Sequence, residues 1–239
     1  MSDFSESFDE RLERAKLDAM KELAYGASHE INNPLANISA RAQTLLRDER
    51  DPERRRALEA INHQALRAHE MISDLMLYSR PPRLDVRPVD LARLLEQAIA
   101  EVAVDCERRG IELGLAVDGN FPQVLGDPVQ LAVAVKAVVV NSIEAIGTGG
   151  RVEMSIIALD HESGVRVEIR DNGPGIPLEV RSHMFEPFYS GREAGRGLGF
   201  GLPKAWRIVT AHGGRIWAES SGDPGATIVI ELPTDAGRR

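Results

Sequence analysis

The chain is poor in cysteine and in net positive charge. Its single cysteine, Cys106, excludes a framework of internal disulfides and fits a reducing compartment. Because Cys106 lies in a helical pattern, we expect it in the core. The net charge of −8 argues against a general nucleic-acid binder, since neutralising phosphates requires a basic surface.

Long apolar runs are also missing from the sequence. The longest run, residues 133–140, contains Lys136 and is far shorter than the ~20 residues that a membrane span needs. The amino terminus is polar and acidic, unlike a signal peptide. We therefore expect a cytoplasmic chain without a membrane segment. With 43% hydrophobic and 28% charged residues over 239 positions, it has the composition of a globular protein with one large or two smaller domains.

Residues 14–47 carry an apolar stripe that predicts a first helix, after a frayed lead-in over residues 1–15. His29 lies off this stripe, because two residues at roughly 100° each turn it about 200° away, toward solvent. An imidazole in water beside Glu30 can act as a nucleophile, and an ordinary histidine on a solvated helix face explains the segment equally well. Pro34 removes the amide that would bond the Glu30 carbonyl, so we expect a kink or local loosening there. The stripe consists of Leu17, Met20, Ala24, Ala27, Ile31, Leu35, Ile38, Ala42 and Leu45.

A second helix is predicted over residues 52–79, with Asp51 as its cap and Pro52 at its first position. Two helices joined by a short turn form an antiparallel hairpin, and two copies pairing into a four-helix bundle would bury the half-covered stripes. His63 and His69 have no motif around them, so we expect them on the solvated face. The apolar seam of this helix consists of Leu58, Ile61, Ala65, Ala68, Ile72, Leu75 and Ser79.

After a linker at residues 81–87, the pattern changes to mixed α and β. Helices are predicted over residues 89–108, 128–146 and 201–211, and Asp127 is the expected cap of the second. Strands are predicted over residues 111–117, 123–126, 151–159, 165–170, 215–219 and 226–232. Residues 171–200, rich in glycine and proline, are expected to form a long functional loop. The predicted fold is a helical hairpin, as half of a dimeric four-helix bundle, followed by an α+β sandwich whose strands form one sheet with helices on one face.

Three segments of the second region suit a nucleotide, although each alone has an ordinary explanation. Asn141 and Glu144 lie one turn apart on a helix, and their oxygens can hold or hydrate Mg²⁺. Asp171 ends a strand and can accept from the amine of adenine, while the glycines after it let backbone approach the ring. The glycine-rich residues 195–202 lead into a helix whose free amides suit phosphates. They are neither a Walker loop, which ends in Gly-Lys-Ser/Thr, nor a Rossmann loop, which needs a βαβ unit.

Together and in this order, over about residues 14–233, these segments resemble the bacterial two-component sensor histidine kinases, particularly the nitrogen-regulator-like subgroup. The similar segments are the phosphoacceptor motif at residues 27–38, the Asn motif at 138–146, the first glycine motif at 171–177, the phenylalanine motif at 184–188 and the second glycine motif at 195–202. The resemblance implies a dimerisation and histidine phosphotransfer hairpin over residues 1–80, the linker, and a catalytic domain over residues 88–239. That domain would be an ATP-binding domain of the gyrase, Hsp90, kinase and MutL type.

The resemblance also implies a role for individual residues. His29 would be phosphorylated on Nε2, Glu30 would hold or deprotonate Nδ1, and Asn33 would orient water against the phosphoaspartate of a partner. Asn141 would bind Mg²⁺ and Asp171 the adenine amine. The other implied ATP-binding residues are Glu144, Gly173, Gly175, Ile176, Phe188, Arg192, Gly197, Leu198, Gly199 and Gly201. ATP and Mg²⁺ are the implied cofactors, and a second copy and the receiver domain of a response regulator are the implied partners.

One departure from the family pattern is Ala137, where the Asn motif usually opens with an asparagine. Superfamily ATPases that hydrolyse ATP carry a glutamate there as the base for water, so its absence favours phosphoryl transfer to a residue. Three hypotheses follow: a histidine kinase with phosphatase activity toward its partner, an ATP-binding scaffold without turnover, and an ATP-driven clamp. The missing base and the histidine hairpin disfavour the clamp.

Overall fold

The computed structural model describes residues 8–117, 119, 121–159, 164–189, 199–219 and 224–234. In the first helix it describes only the backbone of residues 8–18, 20, 23–25 and 27–29. The chain divides into two compact units, Met1–Pro82 and Arg83–Arg239. The described part of the first unit is helical, and the strands belong to the second.

The first unit is a hairpin of helix α1, Phe8–Asp48, and helix α2, Pro52–Ser79. Helix α1 begins at Phe8, so the predicted lead-in is wrong over residues 8–15, because residues 10–16 are good helix formers without glycine or proline. The rest of that prediction, residues 1–7, lies outside the described residues. The helix also continues through Pro34. The Asp51 cap is confirmed: its Oδ1 accepts hydrogen bonds from the amides of Glu53 at 2.8 Å and Arg54 at 3.2 Å.

The apolar stripe of α1 is only half covered within the hairpin. Ala42 is 3% exposed, whereas Ile31, Ile38 and Leu45 are 41%, 44% and 60% exposed. Because these three residues recur every seventh position, they form one line along the helix. The hairpin therefore presents an apolar line that its own second helix does not cover.

The second unit contains the short strand β1, Arg87–Val89, which the sequence did not predict. It pairs antiparallel with β3, Val124–Gly126, and Asp90 then caps helix α3, Leu91–Arg109. The prediction that the helix starts at Val89 is therefore wrong. The remaining elements are β2 Ile111–Val117, α4 Pro128–Ile146, β4 Gly150–Ala158, β5 Gly164–Asp171, α5 Leu178–Arg181, α6 Gly201–Ala211, β6 Arg215–Glu219 and β7 Ala226–Pro233.

The main sheet has the strand order β2-β4-β5-β7-β6 in the described residues. Strand β2 is parallel to β4, and the other neighbours are antiparallel. Strand β3 lies outside this sheet because β1 supplies its partner, so the expectation of a single sheet is wrong. The predicted long loop contains α5, and Asp171 belongs to β5.

The core lies between this sheet and the helices α3, α4 and α6, which confirms the α+β sandwich. Alternate residues of β4, Val152, Met154 and Ile156, are fully buried, as period-two packing on one face requires. Cys106 is buried in this core, as expected, and burial together with the charge of Asp105 raises the pKa of its thiol.

Helix α4 has a more apolar composition than α3 and α6, the other long helices described in the second unit. Within the described part of the chain, it is the one helix whose length and composition would allow it to cross a membrane. It carries Lys136, whose Nζ lies 2.5 Å from Glu101 on α3, and it packs against β4, β5 and α6. This packing is that of a core helix.

Candidate functional site

The carboxylate of Asp171 lies at the end of the central strand β5 and is 4% exposed. Its Oδ1 accepts hydrogen bonds from the backbone amides of Gly173 at 2.9 Å and Ala226 at 3.3 Å. Among the described residues, these hydrogen bonds of the Asp171 carboxylate both fall on Oδ1, so Oδ2 can accept from a ligand amine. A buried carboxylate held by backbone amides has a fixed direction, which is what recognition of a base edge requires.

Two glycines pack the chain tightly around Asp171. Gly225 has a φ of +115°, and a Cβ there would overlap the carbonyl oxygen of Asp171. Gly175 has a φ of +80°, and its Cβ would lie 3.0 Å from the carbonyl oxygen of Gly225. Side chains are excluded at both positions by backbone conformation as well as by space. The loop after β5 and the turn before β7 therefore form one close-packed wall beside the carboxylate.

The carboxyl end of helix α4 lies next to this wall. A Cβ on Gly173 would lie 3.5 Å from the backbone nitrogen of Ile146, in the last turn of the helix. Asn141 precedes Ile146 by five residues, about 7.5 Å along the axis, and is half-buried, while Glu144 is exposed. An amide oxygen and a carboxylate one turn apart are donors of the kind that Mg²⁺ takes. In the described residues no group of three His, Cys, Asp or Glu side chains could hold a metal by itself.

The glycine-rich segment is described only at its end. Arg192, Gly197 and Leu198 lie outside the described residues. Gly199 has a φ of +71°, and a Cβ added there would lie 2.5 Å from the carbonyl oxygen of Tyr189. Tyr189 and Gly199, the described residues on either side of residues 190–198, are therefore close together. Gly201 begins α6, whose cap residue Phe200 makes no side-chain hydrogen bond to the first turn. The amides at this helix start are thus not capped by that side chain.

Phe188 is the non-glycine residue with positive φ in the described chain, at +65°. Its ring is 55% exposed and meets the buried ring of Phe200 edge-on, with centroids 5.0 Å apart. Ile176 is half-buried, and its carbonyl accepts a 3.0 Å hydrogen bond from Nε of Arg181. These contacts fix the segment between the strand-end carboxylate and the glycine-rich segment.

An open cavity of about 550 Å³ lies along the ends of β2, β4 and β5 and shares Asp171 with the site. Charges of both signs line it, among them Glu112 and Glu153, which both pair with Arg151. Asn141, Gly173 and Gly175 are not part of its lining. The cavity is therefore adjacent to the predicted nucleotide site and distinct from it.

Comparison with known proteins places both units in families. Residues 126–236 match the histidine kinase-, DNA gyrase B-, and HSP90-like ATPase model, and residues 19–83 match the His Kinase A (phospho-acceptor) domain. The sensor histidine kinase ZraS of Escherichia coli (strain K12) is 31% identical over 234 residues, covering 97% of this chain and 49% of ZraS.

Two solved structures extend this result. Full-length ShkA in complex with AMPPNP is 26% identical with a TM-score of 0.77, over 91% of this chain and 47% of that chain. The mycobacterial sensor histidine kinase MprB is 30% identical with a TM-score of 0.55, over 64% of this chain and 99% of that chain. The chain belongs to the histidine kinase family. The chain spans about half the length of the curated relatives it matches.

The phosphoacceptor motif of this kinase lies in the middle of α1. The backbone of His29 is helical, and its side chain lies outside the described residues. Glu30 and Asn33 are both exposed. The prediction that the motif lies on a helix is confirmed, and the orientation of the imidazole stays a prediction.

Two contributors to the kinase's site were missed from the sequence. Gly225 and Ala226 surround Asp171, yet they lie more than fifty residues further along the chain. The signal that could have found them is the Pro224-Gly225 pair before the last strand. Their relation to Asp171 depends on β7 pairing with β5, in a register that sets Ala226 opposite Asp171.

Proposed function

We propose that the chain is an ATP-dependent kinase that phosphorylates its own His29 and passes the phosphoryl group to an aspartate of a response regulator. The observation that supports this most strongly is the buried Asp171, whose Oδ1 is held by two amides while Oδ2 is left for the adenine amine. In this proposal Gly173, Gly175 and Ile176 lie along the base. The wall of glycine backbone beside them suits a flat ring.

The phosphates are assigned to the segment that ends at the start of α6. The phosphates would be approached by the backbone amides of Gly197, Leu198, Gly199 and Gly201. Arg192 would neutralise the charge of the phosphates, and Phe188 would hold the start of the segment in place. The oxygens of Asn141 and Glu144 fit a hard cation, so Asn141 would hold Mg²⁺, with Glu144 ordering its water. A bound Mg²⁺ supplies charge neutralisation to the phosphates.

The hairpin supplies the nucleophile. Glu30 holds the imidazole of His29 through Nδ1, which leaves the lone pair of Nε2 to attack the terminal phosphorus of ATP. The bond from that phosphorus to the bridging oxygen breaks, ADP leaves with the electron pair, and a phosphorus–nitrogen bond forms. At a receiver domain a carboxylate oxygen of the aspartate attacks this phosphorus, and the phosphorus–nitrogen bond breaks with its electron pair returning to Nε2. Asn33 would orient water for hydrolysis of the resulting phosphoaspartate.

We infer that the working form is a homodimer. The line of Ile31, Ile38 and Leu45 has the seven-residue spacing that two hairpins use to form a four-helix bundle. In this proposal residues 1–80 dimerise and carry the phosphohistidine, residues 81–87 link, and residues 88–239 bind ATP. The single buried thiol fits a reducing compartment, so we place the kinase in the cytoplasm.

A second candidate function is an ATP-binding dimeric scaffold without turnover. Ala137, on α4 one turn before Asn141, favours it, because a methyl group replaces a polar contact to phosphate or metal. The adjacent His29 and Glu30 favour the active kinase, because a scaffold needs no nucleophile. Measured turnover separates the two.

The deciding experiment is incubation of the chain with ATP labelled on its terminal phosphate, followed by treatment with acid. The active kinase acquires a label that acid removes, because a phosphorus–nitrogen bond is acid-labile. We expect His29→Ala to lose the label and keep nucleotide affinity, and Asp171→Asn to lose both. His63→Ala, an exposed histidine on α2, is the matched control and should label normally. Wild-type labelling of the His29→Ala protein would refute His29 as the acceptor.

A further inference from the structure

His69, on helix α2, contacts the phosphoacceptor segment across the hairpin. Its Nδ1 lies 3.0 Å from Oδ1 of Asn32, and both side chains are at the surface of the unit. Because a carbonyl oxygen only accepts, the ring donates its Nδ1–H. The contact joins α2 to α1 at the residue immediately before Asn33.

This contact lies beside a turn of α1 that lacks one backbone hydrogen bond. Pro34 has no N–H, so the carbonyl of Glu30 lacks the helical hydrogen bond that residue 34 would otherwise donate. The turn from Glu30 to Pro34 therefore has one backbone hydrogen bond fewer than a regular α-helix. A side-chain hydrogen bond from Asn32 to the neighbouring helix restrains the rotation of this turn.

We propose that His69 is a positioning residue for dephosphorylation of the response regulator, acting through Asn32 on Asn33. This inference rests on the proposed function, in which Asn33 orients the attacking water. In that reaction the water oxygen bonds to phosphorus, and the phosphorus–oxygen bond to the aspartate breaks with its electron pair going to the carboxylate. Inorganic phosphate leaves, and the proton that the water loses passes to solvent. Neither His69 nor Asn32 touches the reacting atoms in this scheme.

The hydrogen bond between His69 and Asn32 should affect the orientation of the Asn33 side chain more than that of His29. Asn33 follows Asn32 directly and lies in the turn from Glu30 to Pro34, so a rotation of that turn moves its short, exposed amide away from the water. Autophosphorylation in this scheme uses His29 and Glu30 and does not use the amide of Asn33. Loss of the His69 contact should therefore slow dephosphorylation more than autophosphorylation.

The test compares His69→Leu, which removes the donor, with His69→Asn, whose side-chain N–H takes nearly the place of Nδ1. His63→Leu is the matched control, since His63 is exposed on the same helix. The probe is the receiver domain to which the wild-type chain transfers phosphate fastest among those of its own organism, phosphorylated beforehand with acetyl phosphate. Autophosphorylation and release of phosphate from this receiver are measured separately, and helix content is compared by circular dichroism.

We expect His69→Leu to slow dephosphorylation about fivefold to tenfold, the effect of one hydrogen bond, with autophosphorylation changed less than about twofold. His69→Asn should recover most of the lost rate. Asn32→Ala should have the same defect, and Asn32→Ala combined with His69→Leu should be no slower than either alone, because both remove one contact.

Three results would overturn the inference: an unchanged rate in His69→Leu, an equal loss in both reactions, or additive losses in the double variant. A wild-type chain that autophosphorylates but never dephosphorylates its receiver overturns the role of Asn33 and this inference, and leaves the kinase intact. A wild-type chain that acquires no label contradicts the proposed function itself. The two failures are therefore distinguishable.

Discussion

The backbone amide of Asp127 donates a 2.9 Å hydrogen bond to Nε2 of His212, a ring that is 1% exposed. The other ring nitrogen, Nδ1, donates to the carbonyl oxygen of Ile208 at 2.8 Å. These two bonds fix a neutral ring with its proton on Nδ1. The imidazole therefore joins the start of α4, which carries Asn141, to the end of α6, which begins at Gly201.

Asp127 makes further hydrogen bonds at the start of α4. Burial raises the pKa of its carboxyl, but hydrogen bonds from the amides of Asp85, Gln130 and Val129 outweigh burial and hold that pKa below its ordinary value. The bond from Asp85 also attaches the chain that leads into the second unit. Asp127 is thus a helix cap, an anchor for residue 85 and the partner of His212.

Replacing His212 should destabilise the second unit. His212→Ala removes a buried ring and leaves the Asp127 amide without its acceptor, which should cost about 2–4 kcal/mol of unfolding free energy. The measurement is urea unfolding followed by tryptophan fluorescence, because both tryptophans, Trp206 and Trp217, lie in this unit. His183→Ala, at an exposed position, is the control and should change the midpoint little. Equal midpoints for the two variants would contradict the structural role of His212.

Substitution of Gly225 should weaken nucleotide binding. Alanine there combines a φ of +115° with an overlap on the Asp171 carbonyl, a strain of about 1–3 kcal/mol. A shift of the Asp171 backbone would relieve this strain and displace the carboxylate, so we expect a roughly fivefold to hundredfold loss of affinity. Calorimetry with a non-hydrolysable ATP analogue measures it. Gly114→Ala is the control, because a Cβ there meets only Cγ of Glu153 at 3.6 Å. Normal affinity in Gly225→Ala would remove this wall from the nucleotide site.

The stability of the sheet should depend on pH through Glu231. Its carboxylate, on β7, accepts from Arg166 at 2.9 Å and from Arg215 at 2.7 Å. Burial raises the pKa of Glu231, but these hydrogen bonds and charges outweigh burial and hold the pKa below its ordinary value of 4.5. A lowered folded-state pKa means that the carboxylate stabilises the fold above the unfolded pKa, and that this stability is lost as pH falls through the folded pKa.

We therefore expect wild type to be more stable than Glu231→Gln at pH 7, and the difference to shrink as pH falls below about 4.5. Urea unfolding at a series of pH values from neutral to acidic gives this difference directly. Glu107→Gln is a control on an exposed carboxylate, where no such convergence is expected. A difference that stays constant with pH would show that Glu231 acts through packing alone.

Charge on the uncovered line of α1 should prevent dimerisation. Ile38→Glu would place a carboxylate in the apolar seam of the proposed bundle, where an unpaired charge costs several kcal/mol, so the chain should become monomeric at micromolar concentration. Light scattering after gel filtration measures the mass. Ala40→Glu, exposed about 200° further around the helix, is the control and should remain dimeric. A dimer in both variants would place the interface elsewhere.

Local sequence signals predicted most elements to within a few residues, because each depends on neighbours in the chain. Asp51 and Pro52 predicted where α2 begins, and Asp127 with Pro128 predicted where α4 begins. Strand β1 was not predicted, because its three residues include Pro88 and show no alternation of apolar and polar residues. It forms only because β3 lies within reach to pair with it.

Sequence patterns alone predicted the order of the elements, the position of Asp171 at a strand end and the segments that resemble the family. The folded structure was needed to show that Gly225 and Ala226 lie against Asp171, that His212 joins two helices, and that His69 contacts Asn32. The first set follows from periodicity and caps, which act over a few residues. The second depends on strand register and helix alignment between distant parts of the chain, which hydrophobic packing fixes and no local pattern contains.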